Sequence, residues 1–265
     1  MSALSEAFAR AKDEQRAVLV GYLPAGFPTV DVAVEAMERL VAAGVDVIEV
    51  GLPYSDPLMD GPVIQAAVDQ ARRVGVTTQD VLETVRRVAA TGAPTLVMTY
   101  WNPVERYGVD RFAGDLAAAG GAGVITPDLT PDEARDWLDA VAAAKVDPVF
   151  LVAPSSTDAR LRLVSEHSQG FIYVASTMGV TGARDAVGSR AEELVRRTRA
   201  VTDKPLAVGL GVSNGDQAAE VAGFADGVIV GSAFVRCLLD APSPQDGLAA
   251  LDQLAADLVR GVRQR

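Results

Sequence analysis

Glu49 stands inside an apolar run, VDVIEVG (45–51), that otherwise reads as a buried β-strand. A carboxylate there is costly unless something pairs with it or uses it. Side chains alternate along a strand, so Val45, Val47, Glu49 and Gly51 share one face and Ile48 and Val50 take the other. Asp60 follows in a short loop held by Pro53, Pro57 and Gly61. A buried carboxyl whose pKa rises toward neutrality can both give and take a proton, and Asp60 would be the second acid. The plainer alternatives are a Glu49 paired with a buried Arg or backbone donors, and an Asp60 that is only a solvated turn residue. No Arg lies in any strand-like run, which weakens the first.

Other chemistries are poorly supplied. The single histidine, His167, lies in SEHSQG ahead of a strand and is expected to be a solvent-exposed structural residue. A metal site built on several His ligands is therefore not available. Lys12, Lys145 and Lys204 all precede strands, which leaves no Schiff-base lysine at a strand's C-terminal end. Cys237, in AFVRCLL, is expected to be a buried structural thiol. A lone cysteine forms no intramolecular disulfide and fits a reducing cytoplasm.

The elements that must position these groups alternate along the whole chain. Strand-like runs fall at 17–23, 45–51, 94–100, 122–126, 148–152, 170–175, 205–210 and 226–230. Amphipathic helical segments lie near 30–43, 63–91, 109–119, 131–144, 157–166, 190–202, 214–222 and 246–263. Eight βα units with no linker or composition break predict an α/β fold: one (β/α)8 TIM-barrel domain over 1–265, with 1–16 a helical segment ahead of strand 1. A doubly wound open sheet would carry a Gly-rich turn after its first strand, and PAGFP is not one. In a barrel the chemistry sits at the C-terminal strand ends, where Glu49 and Asp60 fall.

The last three loops on that face are STMGVTGARDAVG, GLGVSNGDQ and VGSAF, the last opening a helix. Gly179, Gly182, Gly211 and Gly231 allow close backbone approach, and Ser232 is a natural helix N-cap. Barrel phosphate sites are commonly built this way. The 265-residue chain is 49 % hydrophobic and 22 % charged, with net charge −11 and no Lys/Arg-rich run. That argues against nucleic acid or an anionic membrane as partner, but not against a small anion held by backbone N–H groups. The N-terminus has no long apolar stretch and reads as neither signal peptide nor membrane span.

EVGLPYSDPLMDGPVIQ (49–65), GYLPAGFP (21–28), MTYWNPVERYG (98–108), GVITPDL (123–129) and ASTMGVTGARD (175–185) together resemble the tryptophan synthase alpha chain family over nearly the whole sequence. Met59 stands where a smaller residue is more usual. The resemblance implies retro-aldol cleavage of indole-3-glycerol phosphate to indole and glyceraldehyde 3-phosphate, in L-tryptophan biosynthesis. It implies that Glu49 is the acid/base and Asp60 the group at the indole N–H. Thr181 would close the site, and Gly182, Gly211, Gly231 and Ser232 would cradle the phosphate. Tyr22, Tyr100, Ile125, Leu151, Tyr173, Leu210 and Ile229 would line the indole pocket. It also implies an α2β2 heterotetramer with a beta chain that carries pyridoxal phosphate, this chain holding no cofactor. Asp56, Pro57, Asn102 and Pro103 would meet that partner, although turn chemistry alone accounts for them equally well. Two rival readings are another phosphosugar-binding barrel, which typically needs a Lys, His or metal at the strand ends, and an idle barrel that only activates a partner, whose mark would be loss of the acids.

Overall fold

The computed structural model describes residues 1–175 and 184–264. Among the described residues, nine strand segments run in parallel: β1 (Val18–Pro24), β2 (Val47–Gly51), β3 (Thr95–Met98), β4 (Gly123–Ile125), β5 (Asp147–Val149), β6 (Leu151–Val152), β7 (Ile172–Ala175), β8 (Leu206–Gly209) and β9 (Gly227–Val230). Their order is β5-β4-β3-β2-β1-β9-β8-β7-β6. Because β5 and β6 are consecutive pieces of one chain run on either side of Phe150, the ring closes through the backbone itself. The Phe150 carbonyl accepts the Tyr173 N–H at 3.1 Å and carries the ladder across the break. The result is the expected eight-unit TIM barrel.

Helices α1 (Ala3–Asp13), α2 (Val30–Ala43), α3 (Pro62–Arg73), α4 (Thr78–Ala89), α5 (Trp101–Tyr107), α6 (Val109–Ala118), α7 (Arg135–Ala144), α8 (Asp158–His167), α9 (Arg184–Arg199), α10 (Gly215–Ala222), α11 (Ser232–Leu239) and α12 (Pro244–Val262) complete the chain. The segment read as one helix over 63–91 is two. Gly75 turns the chain in the left-handed region (φ 84°), and a Thr77–Asp80 capping box starts α4. Helix α5, absent from the sequence reading, makes Asn102 and Pro103 helical rather than loop residues. Its first N–H, from Trp101, is held by the Asp128 carboxylate at 2.9 and 3.1 Å, and Pro103 falls in the first turn, where no N–H is needed. Among the described residues, no helix is long and apolar enough to cross a membrane.

Two apolar layers follow from the strand alternation. Outward residues such as Leu19, Ile48, Val50, Val97 and Val124 pack under the helices. Inward ones, Val18, Val20, Val47, Leu96, Ile125 and Ala207, fill the barrel. Val45 joins the outer layer rather than sharing Glu49's face, because β2 begins only at Val47. Leu4, Ala7, Phe8 and Ala11, spaced for one helix face, plug the N-terminal end of the barrel, with Phe8 and Phe171 5.3 Å apart. On the same side Arg16 grips Asp46 through two 2.7 Å bonds, and Asp46 also accepts the Leu19 N–H. This clamp ties the starts of β1 and β2 together.

His167 is half-buried, not exposed. It closes α8, and its Nδ1 lies 2.9 Å from the Leu163 carbonyl. Cys237 is likewise half-buried on α11 rather than fully enclosed, and its thiol donates weakly to the Ala233 carbonyl. Lys204 spends its ammonium on the Ser165 and Ser168 carbonyls, both at 2.6 Å, at the closed end of the barrel.

Candidate active site

The β1–β2 register sets Tyr22 directly beside Glu49 on the inner face. Above the inner apolar layer, at the C-terminal strand ends, lies a cavity of about 180 Å³. Apolar cavities of about 150 Å³ accept benzene, so an aromatic ring system is of the right scale. Glu49 and Asp60 both line it. The tyrosines reach it because neighbouring strands carry glycine: a Cβ on Gly51 would lie 2.3 Å from the Tyr22 hydroxyl, and one on Gly209 would lie 2.5 Å from that of Tyr173. Any side chain at either position would evict a ring.

Glu49 is 1 % exposed, and among the described residues its Oε2 has no hydrogen-bond partner. None of the described arginines or backbone donors bonds it, which argues against the plainer explanation of a buried ion pair. Burial, reinforced by the charge of Asp60, raises its pKa from 4.5 to about 8. Asp60 is also raised by burial, but Tyr100 opposes the shift by donating its hydroxyl to Oδ1 at 3.1 Å. The two carboxyls therefore differ in kind. One has an oxygen that no described donor reaches and holds a proton near neutrality; the other has a donor that favours its anion. Tyr22 and Tyr173 have phenols pushed upward first by burial and then by the two carboxyls, so both stay neutral.

Of the pocket residues named from sequence, Tyr22, Leu151, Tyr173 and Ile229 line the cavity. Tyr100 stands at its edge, bonded to Asp60. Ile125 and Leu210 are not among the lining residues: Ile125 is packed in the inner layer below, and Leu210 packs against the outer layer. Met98 and Ile64 line the cavity without having been singled out, and so does Met59, which the sequence marked only as larger than usual for its motif. Alternation along TLVM gave a signal for Met98, which shares the inward face with Leu96. Ile64 and Met59 depend on the path of the loop into α3, which no periodicity reports.

Gly211, Gly231 and Ser232 also line the cavity. Gly231, not Ser232, is the N-cap of α11, and no side chain caps this helix. Ser232 is its first residue. Helices α2, α4, α8, α10 and α12 each have a capping hydroxyl or amide from Thr29, Thr77, Thr157, Asn214 or Ser243, while α3, α5, α6 and α7 start without one as α11 does. The first N–H groups of α11 thus meet the cavity without a side-chain acceptor, an arrangement that suits an anion. Thr181 and Gly182 lie outside the described residues.

A parallel barrel whose mouth holds a buried proton-carrying carboxyl, a second carboxyl and an uncapped helix start has the layout of a TIM-barrel enzyme, with its chemistry at the C-terminal strand ends. The model of the family described as "Tryptophan synthase alpha chain" matches residues 8–262. The chain is 61 % identical to the tryptophan synthase alpha chain of Salinispora arenicola, over 99 % of this chain and 98 % of that one, and 58 % identical to that of Thermobifida fusca at the same coverage. A solved structure of Mycobacterium tuberculosis tryptophan synthase superposes with a TM-score of 0.92 at 53 % identity, covering 99 % of this chain and 98 % of the other. This chain belongs to the tryptophan synthase alpha chain family.

Proposed function

We propose that Glu49 moves the protons when this barrel cleaves indole-3-glycerol phosphate to indole and glyceraldehyde 3-phosphate, the lyase activity of its family in tryptophan biosynthesis. Indole can leave as a carbon group only after a proton reaches its C3. Neutral Glu49 supplies that proton and becomes a carboxylate. The ring is then cationic, and the Asp60 carboxylate at the ring N–H stabilises it. Glu49 next takes the proton of the adjacent glycerol hydroxyl, the carbonyl forms, and the electrons of the broken carbon–carbon bond return to the ring. Each step uses one protonation state of the same residue, which is why a pKa near the working pH is useful. The observation that carries this reading is the buried carboxyl of Glu49, with no partner for its Oε2 among the described residues and a pKa raised to about 8 beside Asp60.

The phosphate is assigned to the start of α11 with Gly231 and Ser232, to Gly211, and to Gly182; Thr181 is assigned to closing the site. Pyridoxal phosphate is assigned to a partner beta chain in an α2β2 assembly, and the reaction to the cytoplasm. Asp56 and Asn102 are exposed on adjoining surfaces, joined by the Asn102 amide donating to the Tyr54 hydroxyl at 2.9 Å. Leu58, between Pro57 and the site, is 77 % exposed, an unusual setting for a large apolar side chain and a reason to place docking here. A groove of about 460 Å³ bordered by Pro53, Tyr54, Asn102, Pro103 and Arg106 lies on the same face. Incubating the pure chain with indole-3-glycerol phosphate, with and without a beta chain, should release indole in both cases and faster with the partner. Absence of indole in both would overturn the reading.

A further inference from the structure

We infer that Tyr100 is a positioning residue that aims the Asp60 carboxylate and keeps it ionised, with the Met59 peptide fixing the direction of the tyrosine's proton. This rests on the reading of Asp60 given above and goes beyond it. The Tyr100 hydroxyl has two partners, both at 3.1 Å: the Met59 backbone N–H and Asp60 Oδ1. A peptide N–H can only donate, so it occupies a lone pair of the phenol oxygen. The phenol's single proton is then free to point at Asp60, which as an anion can only accept. The chain of bonds has one polarity, and it ends on the carboxylate.

That polarity opposes the environment. Asp60 shares the cavity with Glu49, Tyr22 and Tyr173, and the charged group facing Tyr100 from the other side is Asp128 on the loop before α7. None of these is a cation, so burial alone would drive Asp60 toward its neutral form. A neutral Asp60 could not offset positive charge on an indole ring. The Asp60 backbone is separately tied, its carbonyl accepting the Gln65 amide at 2.6 Å, so the loop does not depend on Tyr100 for all of its order. Tyr100 also joins two elements: it is the residue from which α5 departs, while Met59 and Asp60 belong to the loop after β2.

The test is Tyr100→Phe, which keeps the ring and its 5.5 Å packing on Tyr54 and removes only the hydroxyl. Hydrogen bonds to charged groups are worth enough to change kcat by roughly ten- to a hundredfold. The expected result is a kcat lowered by that factor with KM changed no more than a few-fold, and an acid limb of the kcat/KM profile moved to higher pH. NMR titration of the Asp60 side-chain carboxyl carbon, which needs no turnover, should show the same upward move. A lowered kcat with both titrations unmoved would make Tyr100 a wall of the pocket and overturn the inference, as would an unchanged kcat. If the parent chain releases no indole, the reading of the site has failed; the carboxyl titration still decides whether Tyr100 controls Asp60.

Discussion

Replacing Glu49 by Gln should stabilise the protein, and by an amount that depends on pH. In the unfolded chain the carboxyl ionises near 4.5; in the fold, burial and Asp60 move it to about 8. A raised carboxyl favours folding fully below the unfolded value and loses that contribution as pH rises through the folded one. At about 1.4 kcal/mol per pH unit, the parent therefore loses on the order of 3 kcal/mol by pH 7 and about 5 kcal/mol above pH 8. Gln does not titrate and loses none of it. Any fixed cost of burying the amide is the same at every pH, so the slope of the difference is the quantity to read. Urea unfolding of both proteins from pH 4.5 to 9 measures it. The parent's deficit should open between pH 4.5 and 8 and then level off. Parallel curves would refute the reasoning, because they would mean that Glu49 titrates normally and is either paired or wet.

Four further outcomes follow from the same geometry. Asp60→Asn should lower kcat strongly while glycerol phosphate still binds, since the charge matters when the ring turns cationic; a loss of affinity with kcat intact would make Asp60 a binding residue only. Ser232→Asp places a negative charge at the uncapped start of α11 and should raise KM at least roughly tenfold, measured by steady-state kinetics. Arg16→Ala leaves the part-buried Asp46 carboxylate with the Leu19 N–H but without its cation and should cost about 1–3 kcal/mol in urea unfolding, with kcat little changed. Asp56→Lys should weaken binding of a cognate beta chain in a titration monitored by α-reaction rate; unchanged binding would move the docking face elsewhere.

The barrel was legible because its strands are buried on both faces and so read as short β-branched runs at regular spacing. Glu49 was legible for the same reason: one charge in such a run has few explanations. What periodicity could not give was anything set by loop paths. Seven-residue α5 contains a proline and starts on a cap from Asp128, far along the chain. The break between α3 and α4 rests on Gly75 and the Thr77–Asp80 capping box, in a segment otherwise continuous in pattern. Tyr100 was read as a pocket wall, yet its hydroxyl bonds Asp60, a contact between two loops that no local pattern announces. Ile125 and Leu210 were assigned by likeness to a cavity whose depth depends on how high the inner layer fills, and they fall below and outside it.

Cleavage at this site requires Glu49 as the proton-transferring group. Turnover of indole-3-glycerol phosphate by the parent and by Glu49→Gln, followed as indole released under saturating substrate, tests it most directly. The expected result is a kcat lower by roughly 10²–10⁴ in the variant, together with a parent kcat/KM that falls as pH rises through about 8 because the neutral acid begins the reaction. A variant within a few-fold of the parent would contradict it.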